Sequence, residues 1–245
     1  MNVQRRLCVF VGIRLLFATA SFAQQVKTGF DRSSDAQADL VHATTVIENE
    51  RVRVWDITLA QGQSTDFGCH EYDFVTMFLV GGQFRTTSEN GATVTERGFG
   101  EAVYGHKGAK QEEELIAGGP ARVIVIELKD PPEPRYPNTS GYPLAFPRHG
   151  SSKVLDNERV VVWNYRWAPN TPTPIHFHDK DIVVVYRYDG SLKSTTPDGK
   201  SVVNDYKSGS IWFNRGDRVH FETLVKGRQS AIMVELKWGW ANESE

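Results

Sequence analysis

Asn49-Glu50-Arg51-Val52-Arg53-Val54-Trp55 returns 108 residues later as Asn157-Glu158-Arg159-Val160-Val161-Val162-Trp163. The same offset lays His70 on His178, Asp73 on Asp181, Gly82 on Gly190, Gly91 on Gly199 and Gly108 on Gly216. It ends with Glu127-Leu128-Lys129 on Glu235-Leu236-Lys237. Without a gap, 22 of the 82 positions from 48 to 129 match their partners, a register that chance does not sustain. The chain is an internal duplication, and one copy predicts the fold of the other.

Working outward, residues 24–129 hold the first copy and residues 153–245 the second. Between them, residues 130–152 carry six of the eleven prolines and read as an extended linker. Within each copy, short apolar runs alternate with turn signals. Val160 to Trp167, Ile182 to Tyr188, Ser210 to Phe213 and Ala231 to Leu236 are rich in β-branched and aromatic residues. Asn90-Gly91 and Asp198-Gly199 occupy equivalent hairpin turns. No stretch keeps a helical period for a dozen residues, and Ser33 to Leu40 is read as one short helix. The expected class is all-β.

Residues 1–23 read as an export signal: Arg5 and Arg6 precede a mostly apolar run from Leu7 to Phe17, followed by small residues up to Ala23. The apolar run is shorter than the roughly 20 residues that span a bilayer. Removal of this segment takes Cys8 with it and leaves Cys69 alone, so no disulfide framework is expected. A periplasmic or secreted protein with no membrane attachment follows. The net charge of −2 lacks the basic footprint that nucleic-acid binding needs.

The second copy contains Pro174-Ile175-His176-Phe177-His178. In a strand, residues two apart share a face, so His176 and His178 point together and Phe177 points away. Gly209 to His220 then supplies a third imidazole after a glycine turn. In a closed barrel, His220 is expected across the interior from the first two. Three neutral imidazoles converging there suit a divalent transition metal (Fe, Mn, Zn or Ni) with open coordination positions. At the gapless offset the first copy has Gly68, His70 and Glu112 at these positions, too few ligands for a tight site. His42, His106 and His149 lack such a setting and are read as surface residues.

These motifs resemble those of the cupin superfamily, and the duplication resembles the two-barrel bicupins. The His-x-His of residues 176 and 178 matches the first cupin motif, and Gly209, Gly216 and His220 match the second, with Asn214 where the family has proline. The resemblance covers roughly residues 45 to 240. It implies two tandem jelly-roll-like barrels, with metal on the second. The family's acidic ligand falls at Ile182 or Val183, which cannot bind metal. Asp181 is the nearest carboxylate and a candidate fourth ligand; its retained equivalent, Asp73, argues instead for an ion pair or turn. Glu222 shares a face with His220 and is a candidate acid/base, with a strand-end ion pair as the alternative. Tyr186 is a candidate hydrogen-bond or proton donor, and Ile182, Val184 and Trp212 are candidate pocket walls beside it.

The resemblance implies a metal-dependent enzyme acting on a small organic acid or phenolic compound. An oxygenase is the first expectation, and isomerase, decarboxylase and lyase chemistry are further cupin activities. A non-catalytic small-ligand or metal-binding protein is the alternative, and a homodimer is compatible with either.

Overall fold

Strands whose residues are apolar on both faces need cover on both faces, and the central strands here have it. The computed structural model describes residues 42–65, 70–129 and 136–237. The proposed signal, the Ser33–Leu40 helix, Gly68, Cys69 and the start of the linker lie outside the described residues. All seventeen elements are strands, and the described residues contain no helix. The all-β expectation holds.

The first half contributes β1 (His42–Glu48), β2 (Val52–Leu59), β3 (Asp73–Val80), β4 (Gly82–Ser88), β5 (Gly91–Arg97), β6 (Ala102–Gly105), β7 (Glu112–Ala117) and β8 (Ala121–Leu128). The second half contributes β9 (Ser151–Asp156), β10 (Val160–Arg166), β11 (His176–His178), β12 (Asp181–Tyr186), β13 (Gly190–Thr195), β14 (Ser201–Tyr206), β15 (Ile211–Asn214), β16 (Arg218–Gly227) and β17 (Ser230–Leu236). Each half builds a five-stranded sheet in one order, β1-β2-β8-β3-β6 and β9-β10-β17-β12-β15. Each also builds a smaller sheet, β5-β4-β7 and β14-β13-β16-β11. The pairing is antiparallel throughout the named strands.

Strand alternation assigns each side chain to one of two cores. On β10, Val160 and Val162 join a cluster shared between the halves, while Val161, Trp163 and Tyr165 face the interior of the second half. The shared cluster holds Val52, Val54, Val75, Met77, Ile124, Ile126 and Leu128, together with all seven residues at the offset of 108. The two large sheets thus pack face to face around an approximate two-fold. That explains why β12 and β17 read as continuous apolar runs instead of alternating ones. Inside the first half, Ile57, Phe74, Phe78, Phe84 and Leu115 form a separate core between its large and small sheets.

The gapless repeat needs one correction. Leu192 pairs with Leu224 in the second half, whereas Phe84 pairs with Leu115 in the first. The offset is therefore 108 on β4 and β13 but 109 on β7 and β16. The hairpin around Asp198-Gly199 is one residue longer than that around Asn90-Gly91, and the offset returns to 108 by β8 and β17. Left-handed residues obey the corrected register: Gly100 matches Gly209, Gly108 matches Asp217, and Gly118 matches Gly227. The counterpart of His220 is consequently Gln111, not Glu112, and that of Glu222 is Glu113, not Glu114.

The segment between the halves does more than connect them. It has no strand over 136–150, but Phe177 donates to the Pro143 carbonyl at 2.8 Å and accepts from Ala145 N–H at 2.9 Å. This fixes 143–145 beside β11 and brings Phe146 into the second half's core.

Candidate metal centre

β11 and β16 are hydrogen-bonded neighbours, with His176 directly opposite His220 and His178 opposite Arg218. The three histidines therefore converge from adjacent strands of one sheet. His220 is not across the barrel, as the sequence reading expected, because the chain folds its second motif back alongside the first. All three side chains are buried. Their ring centroids form a nearly equilateral triangle with sides of 5.0, 4.9 and 5.0 Å.

His178 Nε2 lies 3.2 Å from His176 Nε2 and 3.0 Å from His220 Nε2. Nitrogens bound at ~2.1 Å to one metal ion stand about 3.0 Å apart when cis in an octahedron and about 3.4 Å apart in a tetrahedron. The observed spacings fall within that range. The outer nitrogens fit the same reading. His176 Nδ1 faces the Pro174 carbonyl at 2.8 Å, an acceptor that assigns the proton to Nδ1 and leaves the lone pair on Nε2. His220 Nδ1 meets Ser194 Oγ at 2.8 Å. His178 Nδ1 is buried without a hydrogen-bond partner among the described residues. Burial, reinforced by Arg148 and His220, pushes His176 down to about 3. Burial, against the opposite pull of Glu222 and helped by Arg218 and Arg148, pushes His220 down to about 4, and burial likewise drives His178 well below its ordinary value. Imidazoles held neutral are in the ligand form.

Asp181 does not join this group. Its carboxylate accepts Gly216 N–H at 2.8 Å and pairs with Arg51 Nε at 3.1 Å, at the contact between the halves. The fourth-ligand expectation gives way to the ion-pair reading, because Asp181 shares its strand face with Val183 and Val185. Those two valines enter the core between the halves, while Ile182 and Val184 point to the interior of the second half.

Glu222 does stand beside the triad. Its Oε2 accepts from Arg148 Nη2 at 3.2 Å and Trp167 Nε1 at 3.1 Å. Burial would raise its carboxyl, but His220, Arg148, His176 and Arg218 together hold it below the ordinary value. Tyr186 is buried in the same interior, within electrostatic reach of Glu222 and Arg218. It stacks on Tyr206 at 3.8 Å and lies 6.1 Å from Trp167, and burial drives its hydroxyl far upward. Of the other expected pocket walls, Ile182 and Val184 are interior, whereas Trp212 is 46 % exposed and meets Tyr206 edge-on.

Arg148 was missed by the sequence reading. Its side chain is 6 % exposed and rests over Tyr165 and Phe146, with the guanidinium carbon 4.1 and 4.7 Å from the ring centres. Its Nη1 lies 2.8 Å from His176 Nε2 and 3.1 Å from Nδ1. It sits in the proline-rich segment, where no motif marks it. Arg218 had a readable signal, since it shares the parity of His220 and Glu222 on β16. Arg148 and Arg218 bring two guanidinium groups to the Glu222 carboxylate, while a second buried carboxylate, Glu235, accepts from Trp163 Nε1 at 2.7 Å. A neighbouring cavity of about 510 Å³ shares Trp167, Thr173 and Pro174 with the supports of the site, although its lining stops short of the histidines.

No protein-family model matches the chain. Among solved structures, it is similar to a cupin 2 conserved barrel domain protein from Leptotrichia buccalis, with a TM-score of 0.53 and 14 % identity over 83 % of this chain and 92 % of that one. This chain has the cupin fold. A second cupin-type neighbour is a variant of oxalate decarboxylase from Bacillus subtilis, with a TM-score of 0.58 and 12 % identity over 81 % of this chain and 72 % of that one. Another structure of that decarboxylase, studied for its Mn(II) centres, covers 82 % of this chain and 74 % of that one, with a TM-score of 0.58 and 13 % identity. A curated relative, the β-alanine degradation protein BauB of Pseudomonas aeruginosa, is 42 % identical over 60 residues, 24 % of this chain. The match spans 59 % of that relative's length. The cupin fold with its three-histidine group supports a divalent metal as cofactor.

Proposed function

We propose that the second half is a divalent-metal enzyme acting on a small organic acid. The observation that carries this reading is the buried Arg148 guanidinium, set between the His176 lone pair and Glu222. A divalent ion on His176, His178 and His220 would supply Lewis-acid activation of a bound oxygen. Arg148 cannot keep donating to His176 Nε2 once that nitrogen serves a cation, and a substrate carboxylate is the acceptor of matching charge. Glu222, held ionised, accepts a proton, whereas Tyr186 stays protonated as part of the aromatic wall. Of the two substrate classes, the acid is favoured over the phenol by these cations. The names of similar proteins mention β-alanine and oxalate, both small acids, which agrees with this choice. Dioxygen-dependent oxidation of the acid is the first reaction to assay, and decarboxylation is the second.

The experiment is calorimetric titration of the Mn²⁺-loaded chain with small mono- and dicarboxylates and with catechol, alongside oxygen uptake. Carboxylates are expected to bind, and Arg148→Gln is expected to weaken them about 10- to 100-fold while metal content is unchanged. Binding of catechol alone, or an unchanged carboxylate affinity in the variant, contradicts the reading. We also propose export with loss of about the first 23 residues, from the basic-then-apolar pattern at Arg5 to Phe17. The mass of the natively produced chain checks it, and an intact N-terminus rules it out.

A further inference from the structure

Asp181 closes a series of contacts that begins in the other half. Its Oδ1 accepts Gly216 N–H at 2.8 Å. The next residue, Asp217, sits at φ +54° and donates its N–H to the His178 carbonyl at 2.8 Å. These two bonds pin the turn between β15 and β16 to the chain around His178, and that turn leads within three residues to His220. The other oxygen, Asp181 Oδ2, meets Arg51 Nε at 3.1 Å, with the two side chains 1 % and 5 % exposed. Arg51 Nη2 continues to the carbonyls of Leu236 and Lys237 at 3.5 and 3.4 Å. A carboxylate this buried keeps its charge only beside a cation. Arg51, from the half without a triad, therefore supplies a buried cation to the carboxylate that accepts from the turn.

The same clamp exists in mirror image. Asp73 Oδ1 accepts Lys107 N–H at 2.9 Å, and Gly108 N–H donates to the His70 carbonyl at 2.8 Å. Arg159 Nη1 lies 3.1 Å from Asp73 Oδ2, and its Nη2 reaches the carbonyls of Leu128 and Lys129 at 3.0 and 3.3 Å. This second clamp braces a turn that leads to Gln111, where no histidine stands.

We infer that Arg51 is a positioning residue for the metal centre, setting the spacing of His178 and His220 through Asp181 and the turn over residues 214–218. The inference rests on the metal reading of the triad and makes the site a product of both halves. Arg51→Met and Arg159→Met each remove one clamp from the full chain, so each serves as the other's control. Co²⁺ alone is the probe, titrated by its visible absorption. Arg51→Met is expected to weaken Co²⁺ binding about tenfold or more, the range seen when outer contacts of metal ligands are removed. Arg159→Met is expected to bind Co²⁺ as the unsubstituted chain does. Asp181→Asn against Asp73→Asn repeats the comparison with near-isosteric changes, for the case that a buried methionine prevents folding. Equal losses from the two clamps, or unchanged binding without Arg51 or the Asp181 charge, overturn the inference and leave the metal centre standing. An unsubstituted chain that takes up no Co²⁺ overturns both.

Discussion

In the first half His70 lies flat against Phe74, ring centroids 3.7 Å apart, with its Nδ1 3.5 Å from Glu127. In the second half its counterpart His178 stands between two other imidazoles. One backbone contact recurs in both halves: Thr65 N–H donates to Glu113 O at 2.9 Å as Thr173 N–H donates to Glu222 O at 2.8 Å. The brace of carboxylate, turn and carbonyl is present in both halves, while the histidine triad is present in one. The brace thus belongs to the architecture of the module, and the triad is a chemical addition to it.

The strongest way to break this contrast is to remove a histidine from each half. His178→Ala is expected to weaken metal binding by roughly three orders of magnitude or more, about 4 kcal/mol. His70→Ala is expected to leave metal stoichiometry and affinity unchanged. Elemental analysis and Co²⁺ titration measure both, and a loss of metal on changing His70 would falsify the asymmetry.

Acid should separate the halves less sharply. In the folded, metal-free chain His176 and His220 remain neutral down to about 3 and about 4, whereas the unfolded chain protonates them near the ordinary 6.5. The unfolded state then binds more protons, so stability is full above pH 6.5 and falls as the pH drops toward 4.5, by on the order of 2 kcal/mol for each ring. Urea midpoints at pH 7 and 4.5 test this, and His176→Gln should flatten the slope. An unchanged slope in that variant would assign the acid sensitivity elsewhere.

Where the halves share a core, they should behave alike. Val54 and Val162 occupy equivalent places in it, both fully buried. Val54→Ala and Val162→Ala are each expected to cost about 1–2 kcal/mol, equal within about 0.5 kcal/mol, with metal affinity unaltered. Unequal costs would show that the approximate two-fold does not extend to packing energy.

Much of this was legible in the residues alone. The repeat, the β class and the three histidines could be read because each leaves a periodic mark: an offset, a turn signal, or an x-spacing on one strand face. Asp73 was the clue to Asp181, since a carboxylate kept in a half without ligands has other work. The longer hairpin stayed hidden because its neighbours, the Gly91–Gly199 match before it and Glu127-Leu128-Lys129 after it, hold the offset of 108 on either side. Arg148 stayed hidden for a different reason. It lies on an irregular segment whose course is set by long-range hydrogen bonds, from 143–145 to Phe177 and from Arg166 N–H to the Gly150 carbonyl.

The core between the halves also sets the smallest chain that can carry the site. A second half produced by itself would expose seven apolar side chains on its large sheet and strip the Asp181 carboxylate of its buried ion-pair partner, Arg51. The half without a triad therefore serves as a covalently tethered subunit, and any truncation meant to isolate the metal centre would remove part of its support.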